Sequence, residues 1–123
     1  MQIHQSAEDY LESILILKNQ KGAVRSIDIA IYMNYSKPSI SRAVSLLREN
    51  GYILVDKDGF ITLTESGQAI ADRIYERHEV IRLWLTAIGV PEDVAAEDAC
   101  KLEHDLSDIT FEKIKEFLAK GNG

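Results

Sequence analysis

The chain has 123 residues, 46% of them hydrophobic and 28% charged, and a net charge of −6. That is ordinary globular composition for one domain or two very small ones, and it excludes a disordered chain. No apolar run approaches the length of a membrane span, and the start "MQIHQSAEDY" lacks the basic-then-apolar pattern of a signal peptide. One cysteine cannot form an internal disulfide framework, so the expected setting is the cytoplasm.

In chain order, Ser6 is placed to cap a first helix whose buried stripe is Tyr10, Leu11, Ile14, Leu15 and Leu17, with Gly22 closing it. Ser26 starts a short helix, "SIDIAIYM", which ends in the polar turn "NYS". The spacing of Ile40, Val44 and Leu47 predicts a third helix from Lys37 to about Asn50, with Pro38 in its first turn and Gly51 at its end. "YILVDKDGFITL" then alternates strand-forming residues about Asp58-Gly59, a hairpin signal. A long helix follows Thr64 and stops at Gly89. Pro91 opens a fifth helix, and "ITFEKIKEFLAK" forms a sixth, amphipathic one. The fold class is therefore mainly α with a small β-hairpin. The expected organisation is a winged helix-turn-helix over 1–64 and a helical metal-binding and dimerisation domain over 65–123.

The first part has the order of a DNA-binding module, and its charge agrees. Lys18, Lys21, Arg25, Lys37, Arg42 and Arg48 outnumber Asp28 and Glu49 within residues 18–50, a basic segment in an acidic frame. "SKPSISR" puts Ser36, Lys37, Pro38, Ser39, Ser41 and Arg42 at the start of the third helix, the end that meets base edges and whose free N–H groups favour phosphate. Arg25 and Lys57, the latter at the hairpin tip, are further candidates for the DNA backbone. The bland alternative gives Ser36 only a capping role in a fold used for protein contacts. The third helix has no acidic residue between Lys37 and Glu49, which favours double-stranded DNA.

The second part holds "AEDACKLEHDLSD". On a helix, Cys100, Glu103 and His104 share one face, offering sulfur, oxygen and nitrogen donors. Asp9 and Glu12 in the first helix and His78 in the fourth are candidates to join them. Each has a plain alternative: Asp9 could complete a capping box with Ser6, Glu12 could be solvated, His78 structural and Cys100 a small core residue. The long helix and the sixth carry more apolar side chains than so small a domain can bury, Leu83, Trp84, Ile88 and Phe117 among them, which points to a homodimer.

"EDYLES" in the first helix, "ERHEVIRLWL" in the fourth and "CKLEHDLSD" in the fifth, together with the winged helix, resemble the diphtheria toxin repressor family of metal-dependent transcriptional regulators. The resemblance covers residues 5–120. It implies a cytoplasmic homodimer that binds palindromic operator DNA when loaded with divalent Mn²⁺ or Fe²⁺, usually repressing uptake genes. It implies Asp9, Glu12, His78, Glu103 and His104 as ligands, matching the manganese branch, with Cys100 standing where the iron branch has cysteine and the manganese branch glutamate. A thiolate also admits Zn²⁺ or Co²⁺. Arg82 and Ala96 stand where the iron branch has further donors, and the chain leaves no room for that branch's SH3-like domain. A winged-helix regulator independent of metal is the alternative. No H-E-x-x-H, nucleophile elbow or phosphate loop is present, so no enzyme and no small-molecule substrate is expected.

Overall fold

The computed structural model describes residues 5–121. The elements are α1 (Gln5–Lys21), α2 (Ser26–Met33), α3 (Lys37–Glu49), β1 (Ile53–Val55), β2 (Ile61–Leu63), α4 (Glu65–Ala87), α5 (Glu92–Leu102) and α6 (Asp108–Gly121). The helix and hairpin order is the one the sequence predicts. The chain divides into two compact units, Met1–Asp72 and Arg73–Gly123, so the division falls inside α4.

In the first unit, Leu11, Ile14, Leu15 and Leu17 of α1 bury against Ile29 of α2, Ile40 and Leu47 of α3, and Ile53 and Ile61 of the strands. The hairpin is antiparallel, pairing Ile53 with Leu63 and Val55 with Ile61. Its loop is longer than a two-residue turn. Asp56 Oδ1 accepts the N–H groups of Asp58 and Phe60, both at 2.9 Å, while Gly59 takes φ of 85°. The hairpin is tied to the helices by the Ile61 N–H donating to the Val24 carbonyl at 2.7 Å and by a bridge between Arg25 and Phe60.

α4 leaves the hairpin through a tight junction. The Thr64 hydroxyl donates to the Gly51 carbonyl at 2.7 Å and accepts the Gly67 N–H at 3.2 Å. A β-carbon at Gly67 would lie 2.0 Å from the Tyr52 carbonyl oxygen, so only glycine fits that approach. In the second unit, Ile81 and Leu85 of α4 pack on Ala95 and Ala99 of α5, with Trp84, Leu102 and Leu106 at the margin.

Two local expectations are corrected. Ser6 lies inside α1, whose described part begins at Gln5, so it is a helical residue and not the cap. The fifth helix ends at Leu102: Glu103 keeps αR geometry (φ −58°, ψ −25°) as the flanking residue, and His104 lies in the following turn.

Candidate metal centre and nucleic-acid interface

In the first unit, α2 ends at Asn34 in the left-handed region (φ 58°, ψ 45°), which turns the chain sharply into α3. Tyr35 of that turn packs edge-on against Tyr10 of α1 with ring centroids 6.1 Å apart. Ser36 is the N-cap of α3: its hydroxyl oxygen accepts the Ser39 N–H at 3.3 Å and the two hydroxyls lie 2.9 Å apart. Ile40 and Leu47 are buried beneath, so Lys37, Pro38, Ser41 and Arg42 are left exposed and Ser39 half-buried. This presents the start of α3 with its cations outward, the arrangement a groove-reading helix needs.

Arg25 is exposed but held. Its guanidinium stacks over the Phe60 ring at 4.4 Å, and its N–H donates to Asp28 Oδ2 at 2.9 Å. Lys57 is exposed at the hairpin tip between Asp56 and Asp58, so its charge is locally offset.

In the second unit, α4 carries His78 and the end of α5 carries Cys100 and Glu103. His78 Nδ1 lies 3.0 Å from Glu103 Oε2 and 3.7 Å from Cys100 Sγ. The other carboxylate oxygen of Glu103 lies 3.3 Å from His104 Nε2. Glu103 is buried at 1% exposure, His78 half-buried and Cys100 exposed. The Cys100 sulfur and the Glu103 carboxylate outweigh desolvation of the ring and push the His78 pKa up to about 10.

The donor atoms of His78, Cys100 and Glu103 all lie within 4.8 Å of one another. Donors on opposite sides of one ion, with bonds of about 2.0–2.3 Å, stand nearly that far apart. One nitrogen, one sulfur and one buried oxygen, with a second imidazole on the same carboxylate, therefore fit a divalent transition metal.

Asp9 and Glu12 lie on α1 in the first unit, Asp9 half-buried and Glu12 buried. Glu8, which the sequence reading left aside, is also buried. Its place one turn before Leu11 and Glu12 on the inner stripe was the available signal. Arg77 was missed as well. Its 3% exposure follows from its position between Ile74 and Ile81 on the buried stripe of α4.

Residues 64–121 match the family model described as "Iron dependent repressor, metal binding and dimerisation domain", and residues 2–60 match "Iron dependent repressor, N-terminal DNA binding domain". The chain belongs to the iron-dependent repressor family. An HTH-type transcriptional regulator of Methanocaldococcus jannaschii is 36% identical over 118 residues, covering 94% of each chain. The HTH-type transcriptional regulator MntR of Lysinibacillus sphaericus is 33% identical over 113 residues, 92% of this chain and 81% of that one. Among solved structures, the manganese regulator SloR superposes with a TM-score of 0.81 at 32% identity, over 97% of this chain and 55% of that chain. A manganese-dependent transcriptional repressor in complex with manganese gives 0.79 at 29% identity, over 92% and 52%. This chain thus spans about half the length of those two structures.

Proposed function

We propose that this chain is a metal-dependent transcriptional regulator, a cytoplasmic homodimer that binds palindromic operator DNA when loaded with Mn²⁺ or Fe²⁺ and represses metal-uptake genes. The observation that carries the reading is the convergence of His78, Cys100 and Glu103 in a chain that also presents a winged helix with exposed Lys37, Ser41 and Arg42. Asp9 and Glu12 are proposed to complete the donor set, on their match to the family's ligand pattern.

Glu103 holds both histidines through its two oxygens, and its burial keeps the carboxylate from exchanging these partners for water. His78, Cys100 and Glu103 would hold a divalent ion, which would supply positive charge here, and His78 would have to give up the proton it otherwise keeps. The functional division is proposed at 64/65, with the winged helix reading DNA and the remainder holding metal and the dimer contact.

Dimerisation is supported by apolar side chains left outside the second unit's core: Leu83 at 49% exposure, Ile109 at 70% and Phe117 at 62%. Trp84, Ile109, Ile114 and Phe117 line a shallow apolar groove there. A dimer reading a palindromic operator would need its two recognition helices spaced for half-sites about 34 Å apart or a multiple of it.

The test is selection of bound sequences from a random duplex library by the Mn²⁺-loaded protein, followed by affinity measurement with and without chelator. The expected result is a palindromic consensus whose affinity falls sharply on chelation. Equal affinity in both states would establish the metal-independent alternative instead.

A further inference from the structure

Arg77 precedes His78 on α4 and is buried, although no sequence motif claims it. Its Nη1 donates to the carbonyl oxygens of Glu103 at 3.2 Å and Leu106 at 2.7 Å, and its Nη2 to Asp108 Oδ1 at 2.5 Å. The guanidinium lies 5.1 Å from the centre of the Phe111 ring. We propose that Arg77 is a positioning residue that clamps the turn between α5 and α6 and so sets the Glu103 carboxylate against His78 and, through its other oxygen, against His104. The inference rests on reading that cluster as the metal centre.

The turn needs such a clamp. α5 stops at Leu102, and the carbonyls at a helix end have no partner within the helix. The turn's own backbone bonds are Asp105 N–H to Leu102 at 3.1 Å and Leu106 N–H to Leu102 at 3.2 Å. Neither of these fixes the Glu103 or Leu106 carbonyl. One guanidinium bonds both, and adds the carboxylate at the start of α6. Arginine alone can do this, because its planar fork offers five donors in fixed directions and stays charged when buried.

Arg77 and His78 are consecutive on a rigid helix, so fixing the turn to Arg77 fixes Glu103 relative to the imidazole. Without the clamp, the donors would have to be ordered when metal binds, at a cost in affinity.

The test uses the full chain carrying Arg77→Lys, which keeps the charge but loses the fork. Asp108→Asn serves as the second variant, since its side chain is 89% exposed and its replacement leaves the buried carbonyls bonded. Amide exchange at Asp105 and Leu106 in metal-free protein reports the clamp. Co²⁺ titration, followed by its visible absorption, reports the donors. Arg77→Lys is expected to speed exchange at both amides, lower Co²⁺ affinity about 10–100-fold and alter the ligand-field bands. Asp108→Asn is expected to do the same more weakly, and it decides the matter if Arg77→Lys does not fold. Unchanged Co²⁺ affinity and spectrum in the folded variants would overturn the proposal. Wild-type protein that takes up no Co²⁺ would instead overturn the metal-centre reading beneath it, while the exchange data still reported the clamp.

Discussion

His78 Nδ1 and Glu103 Oε2 lie 3.0 Å apart although 25 residues separate them in sequence. The Cys100 sulfur first, and this contact second, raise the His78 pKa to about 10, so at neutral pH the metal-free cluster holds a proton. Metal binding must displace it. Apparent Mn²⁺ affinity should therefore rise about tenfold per pH unit across the neutral range, with proton release seen by calorimetry in buffers of different ionisation enthalpy. In metal-free protein the sign is opposite. The raised pKa stabilises the fold fully below pH 6.5, and that contribution is lost as pH climbs toward about 10. Glu103→Gln should return His78 toward its ordinary range in an NMR titration. An unmoved His78 would mean the contact is not what holds the proton.

Cys100 is exposed, so replacing it does not disturb the core. Cys100→Glu should shift preference toward Mn²⁺ over Zn²⁺ and Co²⁺, because a hard oxygen replaces a soft sulfur. In the wild type, metal should slow alkylation of the thiol, and Co²⁺ should give thiolate charge-transfer absorption. A thiol alkylated equally fast with metal present would remove sulfur from the donor set.

The exposed start of α3 gives a prediction for DNA. Arg42→Ala should weaken binding to all sequences and reduce the salt slope by about one, the mark of a lost phosphate contact. Ser39→Ala should change preference among operator variants more than overall affinity. It also removes a hydroxyl partner of the Ser36 cap, so thermal melting of the variant separates the two effects. Gel shifts unaffected by either change would place this turn away from DNA.

Gly67→Ala tests the junction at the start of α4. Alanine favours helix by about 1 kcal/mol over glycine. Here its β-carbon would meet the Tyr52 carbonyl at 2.0 Å, and overpacking of that kind typically costs about 1–3 kcal/mol. Net destabilisation in chemical unfolding is expected. A stabilised variant would show that the hairpin yields at this point.

The elements most legible in the sequence were those set by local pattern. Ile40, Val44 and Leu47 mark one face of α3, and Asp58-Gly59 marks the hairpin, because periodicity and turn chemistry act over a few residues. The end of α5 was less legible: no glycine or proline stands at Glu103, and the helix stops there where long-range bonds from Arg77 take over. Arg77, within "YERHEVIRLW", was not singled out by the sequence pattern. Its place between Ile74 and Ile81 was legible, but the carbonyls it bonds lie 26 and 29 residues away, which no local pattern encodes. His78, Cys100, Glu103 and His104 were legible as types and spacings. Their actual sharing, with one carboxylate between two imidazoles, required the fold.

The outward cations of α3 have a kinetic consequence. Lys37 and Arg42 stand exposed on a helix with no acid before Glu49, whereas the second unit carries exposed Glu92, Asp93, Glu97, Asp105, Asp108, Glu112 and Glu116. A polyanion is drawn to the exposed cations of α3 and repelled by the exposed carboxylates of the second unit. Encounters with a duplex that begin at α3 should therefore outlast those that begin at the exposed carboxylates. Raising ionic strength shortens the reach of both effects, so it should lower the association rate before it changes which sequence is preferred.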